Sequence, residues 1–258
     1  MENGKILALW STPRSTSTAF EWAMSNRGDM LCFHEPYNEA YYHGEDRRND
    51  RYFADDPAPV GKSGLSMSSV HRKLQDLSAS RVVFIKDFAY SVMHMADDRF
   101  LDAFVHTFLI RDPEKVITSM YSKWPDIELD ELGFEDMHTL FRRVADRQGH
   151  PPPVIDSDEL LDNPQIGMEA YCRAVGIPFR PESLNWNSDR EESTGNNPTW
   201  NPDAEGFHDR LKTSSGLSKQ PRNYPSMESS EEMLRLYRAS IPHYRALFSN
   251  RLHFGSGA

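Results

Sequence analysis

The chain has 258 residues, 38% of them hydrophobic, and a formal net charge of −10. That length suits one domain with a sizeable core, spanning residues 1–258. The acidic balance excludes a general affinity for nucleic acid, acidic polysaccharide or anionic membrane, so an anionic ligand needs a local pocket. Two cysteines, Cys32 and Cys172, sit in apolar contexts without a CxxC pair, which argues against a disulfide framework or zinc site and for packing roles. The N-terminal apolar run "ILALW" (6–10) is too short for a signal-peptide core. No segment approaches the roughly 18 apolar residues of a membrane span, and a cytoplasmic location is expected.

In chain order, residues 5–10 read as a short buried strand. "STSTAFEWAMSN" (15–26) reads as a helix with Ala19, Phe20, Ala23 and Met24 on one side. "MLCFHE" (30–35) is a second strand. Residues 38–66 form a polar excursion too long for an ordinary connection, expected to be a lid or acceptor loop. A helix follows over 67–78, then strand "RVVFIKD" (81–87), helical turns over 89–103, strand "VHTFLIRD" (105–112) and a helix opening at Pro113. A helix over 134–147 leads to a fifth strand at "PVID" (153–156), and Asn163-Pro164 opens a helix ending near Gly176. Residues 178–227 turn to Pro, Asn, Ser and Gly, an irregular tail before a last helix over 228–247. Strands alternating with helices predict a three-layer α/β/α fold around a mostly parallel sheet.

The loop "STPRSTST" (11–18) joins the first strand to the first helix. Such a junction aims unpaired N–H groups and the positive helix end at one spot, suited to phosphate or sulfate. Ser15, Thr16, Ser17 and Thr18 add hydroxyls, and Arg14 adds a charged fork. The competing reading is that the hydroxyls simply cap the helix. A nucleotide kinase would carry GxxxxGK[ST] here, and this loop has no glycine. "VGKSG" (60–64) has Asp56 where that pattern needs glycine and no strand before it, so it reads as a chance match.

A second motif lies in "FLIRDPEKVITSMYS" (108–122), with Arg111 at a strand end and Ser119 about two helical turns further on. Alone, "IRDP" could be a helix N-cap with a solvated ion pair. Together, the two motifs resemble those of sulfotransferases that use 3′-phosphoadenosine 5′-phosphosulfate (PAPS). The resemblance covers the organisation of residues 5–176 and implies a P-loop NTPase-like fold. It implies that Arg14, Ser15, Thr16, Ser17 and Thr18 cradle the 5′-phosphosulfate, and that Arg111 and Ser119 hold the 3′-phosphate. "CFHEP" (32–36) matches the glutamate-bearing strand end of the tyrosyl-protein and bacterial small-molecule branches, and "FIKD" (84–87) the strand with an active-site lysine. The chain departs from the cytosolic phenol and steroid branch: Arg14 stands where lysine is common, the loop lacks its glycine, and "KD" replaces "KTH". The glycine- and lysine-rich cofactor loop of that branch has no close match, with "GFHDRLKTSSGLS" (206–218) as a possible substitute.

Sulfuryl transfer needs the attacking and leaving oxygens in line and the moving charge stabilised. Arg14 and Lys86 are the expected donors to the bridging oxygen. Glu35 is the expected base, favoured by desolvation near the strand ends, and His34 its rival. Adjacent strand residues point to opposite faces, so one of the two is expected to face the pocket. A structural ion pair or a capping carboxylate is the alternative role for Glu35. No metal is implied: His94, His106, His138, the "HDR" cluster (208–210) and the acid run from Asp126 to Asp136 lack converging ligand spacing and read as solvated. Trp124, Trp186, Trp200, Tyr37, Tyr41 and Tyr42 could stack on adenine or acceptor, or pack. The expected activity is transfer from PAPS to a hydroxyl or amine of a small molecule, releasing adenosine 3′,5′-bisphosphate. A magnesium-dependent phosphotransferase and a non-catalytic nucleotide-binding module are the alternatives.

Overall fold

Five parallel strands organise the chain, each feeding a helical connection that returns it to the same edge-to-edge direction. In the computed structural model, which describes residues 4–53, 61–186, 211, 213–219 and 225–254, the strands are β1 (Ile6–Ser11), β2 (Leu31–His34), β3 (Val83–Phe88), β4 (Phe104–Ile110) and β5 (Val154–Asp156). Their order across the sheet is β2-β3-β1-β4-β5. Every residue of β1 and β3 is buried, which is why both open on apolar runs, residues 6–10 and 83–85, before polar residues enter toward their C-terminal ends. The helices are α1 (Ser17–Asn26), α2 (Pro36–His43), α3 (Met67–Ser78), α4 (Asp98–Asp102), α5 (Pro113–Tyr121), α6 (Leu129–Leu132), α7 (Phe134–Gln148), α8 (Ser157–Asp162), α9 (Pro164–Val175) and α10 (Glu231–Phe248).

Alternation along the strands builds two cores, one on each face of the sheet. Ile6, Ala8 and Trp10 join Val83 and Ile85 beneath α2, α3 and α7. Leu7, Leu9 and Phe84 point the other way, onto Phe20 and Met24 of α1 and Met168, Tyr171 and Cys172 of α9. The fold is therefore the expected three-layer α/β/α arrangement. Neither Cys32 nor Cys172 forms a disulfide, and both are buried in the second core.

Three helices go beyond the expected elements. The polar excursion opens with α2, where Pro36 occupies the first turn and Tyr37 and Ala40 are fully buried. Tyr37 and Ala40 are spaced as one helical face, a signal masked by the polar residues between them. The short α6 and α8 each bury one side through Leu132 and Leu160. Lys62 of "VGKSG" pairs with Glu39 at 2.9 Å on the surface. His106 also differs from its expected solvated position: it is buried, accepts a hydrogen bond from Trp10 Nε1 at 2.8 Å, and faces the Leu101 carbonyl at 3.0 Å. Trp186 packs edge-on against Trp22. Trp200, His208, Asp209 and Arg210 lie outside the described residues.

Candidate active site

The C-terminal ends of β1, β2, β3 and β4 converge on one cleft. After β1 the chain turns through Thr12–Thr16 with Arg14 at φ 59° and Thr16 at φ 64°. With Glu35 at φ 46°, these are the non-glycine residues of positive φ among the described residues, and all three belong to this site. A side chain in this conformation costs about 1–2 kcal/mol, so the surrounding contacts must over-determine it. Those contacts are visible. Ser15 Oγ donates to the Thr12 carbonyl at 2.6 Å, and Thr16 Oγ1 lies 2.6 Å from both the Ser15 carbonyl and Ser157 Oγ on α8.

Thr16 is the N-cap of α1, yet no side chain caps the helix. The capping explanation of the Ser/Thr run therefore fails at this helix. The hydroxyls divide instead: Ser15 and Thr16 shape the loop, while Ser17 and Thr18 line the cleft with Arg14.

The two sequence motifs touch each other directly. Arg14 Nε donates to Ser119 Oγ on α5 at 3.0 Å, and Arg111 Nη1 donates to the Arg14 carbonyl at 2.8 Å. Arg111 is nearly buried, and its other terminal nitrogen lies 3.6 Å from Asp158, whose second oxygen pairs with Lys115 at 3.0 Å. Two cations thus converge beside the loop around one carboxylate from α8. Neither Lys115 nor Asp158 was expected here; Lys115 lies one helical turn before Ser119, the periodic signal that places both on one face of α5.

Glu35 leaves β2 in its left-handed conformation, with its N–H on the Lys86 carbonyl at 2.7 Å. It stands at the N-cap of α2 without capping it. Asp87 of β3 takes that duty, accepting from the amides of Tyr37 at 2.7 Å, Asn38 at 3.2 Å and Phe88 at 2.8 Å. The Glu35 carboxylate is thereby released from the helix end and faces the cleft. Lys86 Nζ hydrogen-bonds one of its oxygens, and Asn38 Nδ2 donates to the other at 2.9 Å. His34 Nε2 lies 3.6 Å from Glu35, and His34 Nδ1 is 2.6 Å from the buried Glu21. Alternation separated His34 from Glu35 only on the premise of a continuing strand. The strand ends at His34, and the left-handed turn brings the next side chain back beside the imidazole.

The cleft encloses about 130 Å³. Opposite the loop its wall is aromatic, with Tyr42, Tyr52, Phe88, Tyr90 and Trp124. At the far end Arg51 binds both oxygens of Glu131, reaches Asp126 at 3.1 Å, and lies 4.9 Å over the Trp124 ring. That ion pair ties the polar excursion to α6. Tyr37, by contrast, is core.

Two buried groups set opposite pH responses. Burial, and then the Glu35 carboxylate, push the Asp87 carboxyl from its ordinary 3.8 up to about 8. Burial lowers the His106 imidazole from 6.5 to about 4. The folded protein holds the Asp87 proton more tightly than the unfolded chain does, so that contribution is complete below 3.8 and is lost as pH rises through 8. The His106 contribution is complete above 6.5 and is lost as pH falls through 4. The two offset each other between 4 and 6.5, and of the pair only Asp87 still responds from 6.5 to 8. Thermal melts should therefore lose stability over that upper interval, by at most about 1.4 kcal/mol per pH unit. Asp87→Asn should flatten the decline, whatever its effect on overall stability. An unchanged slope in the variant would assign the decline to another group.

Among the described residues, no group of three or more His, Cys, Asp or Glu side chains is arranged to hold a metal ion. No helix among them is long and apolar enough to cross a membrane.

A family model described as a sulfotransferase domain matches residues 4–251. Two curated relatives from Arabidopsis thaliana are similar along almost the whole chain. Branched-chain-amino-acid aminotransferase-like protein 2 is 24% identical over 271 residues, covering 96% of this chain and 44% of the relative. Branched-chain-amino-acid aminotransferase-like protein 1 is 24% identical over 261 residues, covering 98% of this chain and 45% of the relative. The chain thus spans less than half the length of either relative. Among solved structures, a sulfotransferase domain from the curacin biosynthetic pathway is 16% identical with a TM-score of 0.44, covering 93% of this chain and 98% of that one. Retinol dehydratase in a complex with retinol and PAP is 14% identical with a TM-score of 0.44, covering 95% and 82% respectively.

Proposed function

The chain belongs to the sulfotransferase-domain family, and from that premise we propose that it moves a sulfuryl group from PAPS to a hydroxyl or amine of a small acceptor. The observation that carries this reading is the contact between the motifs, Arg14 on Ser119 and Arg111 on the Arg14 carbonyl. It gathers the donors suited to the two anionic ends of the nucleotide around a single loop. PAPS supplies an activated sulfuryl group and a stable leaving phosphate. The chain's own part is to hold and neutralise. The N-terminal amides of α1, with Ser17 and Thr18, suit the 5′ anion. Arg111 and Ser119, with Lys115 beside them, suit the 3′-phosphate. Arg14 donates where charge builds on the leaving oxygen, and Lys86 completes the pair while neutralising Glu35.

Glu35 takes the acceptor's proton in this reading. The ammonium of Lys86 and the amide of Asn38 both favour the ionised carboxylate that a base must be. His34, held by Glu21, supports Glu35 from behind. The aromatic wall receives the acceptor and excludes water from the reacting oxygens.

Adenosine 3′,5′-bisphosphate should raise the melting temperature as a ligand of the folded state, with a stabilisation of about 2.7 kcal/mol at a hundred times its dissociation constant. A parallel titration with ATP and magnesium is the control. Equal or greater stabilisation by ATP would transfer the site to phosphoryl chemistry. A folded chain that binds the bisphosphate, yet releases none from PAPS across a panel of alcohols and amines, would be a binding module.

A further inference from the structure

The cleft contains a hydrogen-bond chain that neither motif explains. Asn38 Nδ2 donates to Glu35 Oε2 at 2.9 Å, and Tyr90 Oη donates to Asn38 Oδ1 at 2.9 Å. All three side chains line the cleft. An ionised carboxylate only accepts, so the NH₂ of Asn38 must face Glu35 and its oxygen must face away. That oxygen then needs a donor, and Tyr90 is it. The phenol thus fixes which way round the amide stands. The backbone beneath is equally constrained, since the Asn38 amide N–H is held by Asp87.

We propose that Asn38 and Tyr90 are positioning residues that hold the Glu35 carboxylate in one orientation, one oxygen on Lys86 and the other steadied toward the acceptor. The role rests on the sulfotransfer reading, in which Glu35 is the base. Lys86 alone grips one oxygen and leaves the carboxylate free to pivot about it. A displacement on the order of 1 Å at a reacting group can lower the rate about a hundredfold. The Asn38 donor also favours the ionised form, so its loss makes Glu35 easier to protonate.

The test uses the full chain as wild type, Asn38→Ala and Tyr90→Phe. The readout is bisphosphate release from PAPS with the fastest acceptor of the alcohol-and-amine panel, across pH, and bisphosphate affinity is measured separately by calorimetry. In Asn38→Ala, kcat should fall about ten- to a hundredfold, and in Tyr90→Phe about three- to tenfold, with bisphosphate affinity within about twofold of wild type. The acid limb of the kcat profile should move to higher pH in Asn38→Ala, because a base that protonates more readily loses activity sooner on acidification. Ionisable groups around Glu35 are Lys86, Asp87, His34, Arg14 and Glu131, besides Tyr90, and Asn38→Ala leaves all of them in place. A packing defect lowers the melting temperature and leaves that limb where it was. Tyr90→Phe keeps the ring, so it carries the kcat and affinity readouts even if Asn38→Ala fails to fold. An active wild type with unchanged kcat in either folded variant, or an unmoved limb in Asn38→Ala, overturns the positioning role alone. A wild type that releases no bisphosphate from PAPS, whether or not it binds it, overturns the underlying reading, and the role with it.

Discussion

Replacing Glu35 by glutamine should lower turnover by roughly 10²-fold or more while leaving bisphosphate affinity close to wild type. Glutamine keeps the length and shape of the side chain but offers no basic oxygen. It also removes the negative charge that compensates Lys86, a fully buried ammonium, and an uncompensated buried charge is strongly destabilising. The melting temperature should therefore drop together with the rate, and bisphosphate binding serves as the check that the site is intact. The acid limb of the wild-type profile should vanish from the residual rate. A histidine base would lose activity in the same direction, so His34→Asn is the necessary companion and should be mild. If His34→Asn is inactive and Glu35→Gln is not, the proton goes to the imidazole instead. If neither matters, the acceptor needs no base from this turn.

Arg111→Ala should weaken adenosine 3′,5′-bisphosphate binding by about ten- to a hundredfold, the worth of a charge-assisted contact of about 1.5–3 kcal/mol. Adenosine 5′-phosphosulfate has no 3′-phosphate for Arg111 to hold, so its affinity should fall much less. It should fall somewhat, because Arg111 also supports the strained loop through the Arg14 carbonyl. Calorimetry with both ligands separates the roles. Equal losses would make Arg111 a loop support only. Asp158, which already sits on Arg111 and Lys115, keeps the two cations compensated and must share them with any incoming anion.

The layers and strands of the fold were legible because a buried parallel strand has a strong apolar signature. The bounds of β1 follow their predicted span closely for the same reason, while those of α3 and α9 do so because helices carry their own marks, the periodic Met67, Val70 and Leu74 in one and the flanking Pro164 and Gly176 in the other. The site was legible as two lists of residues, one per motif, but not as one object. No periodicity relates Arg14 to Ser119; only the sheet order, which sets β4 beside β1, brings them together. Nor could the strand pattern show that Asp87 would relieve Glu35 of capping α2, since that exchange passes between β3 and a helix hidden in a polar stretch. The left-handed residues were opaque for a different reason. Glycine is the usual sequence mark of such a conformation, and Arg14, Thr16 and Glu35 adopt it without one.

The central place of β1 also constrains the order in which this molecule can be made. Ile6 pairs with Val83 on one side and Phe104 on the other, so β1, made before either, waits for both neighbours. Closing such long loops before any pairing stabilises them is the slow step of parallel-sheet folding. On a ribosome, the loop at residues 12–16 has no sheet edge to spring from until β3 has emerged, and no Ser119 to hold Arg14 until α5 has. The binding site therefore does not grow stepwise with the chain. It cannot be complete before β4 stands beside β1 and α5 has been made, since only then can Arg14 meet Ser119.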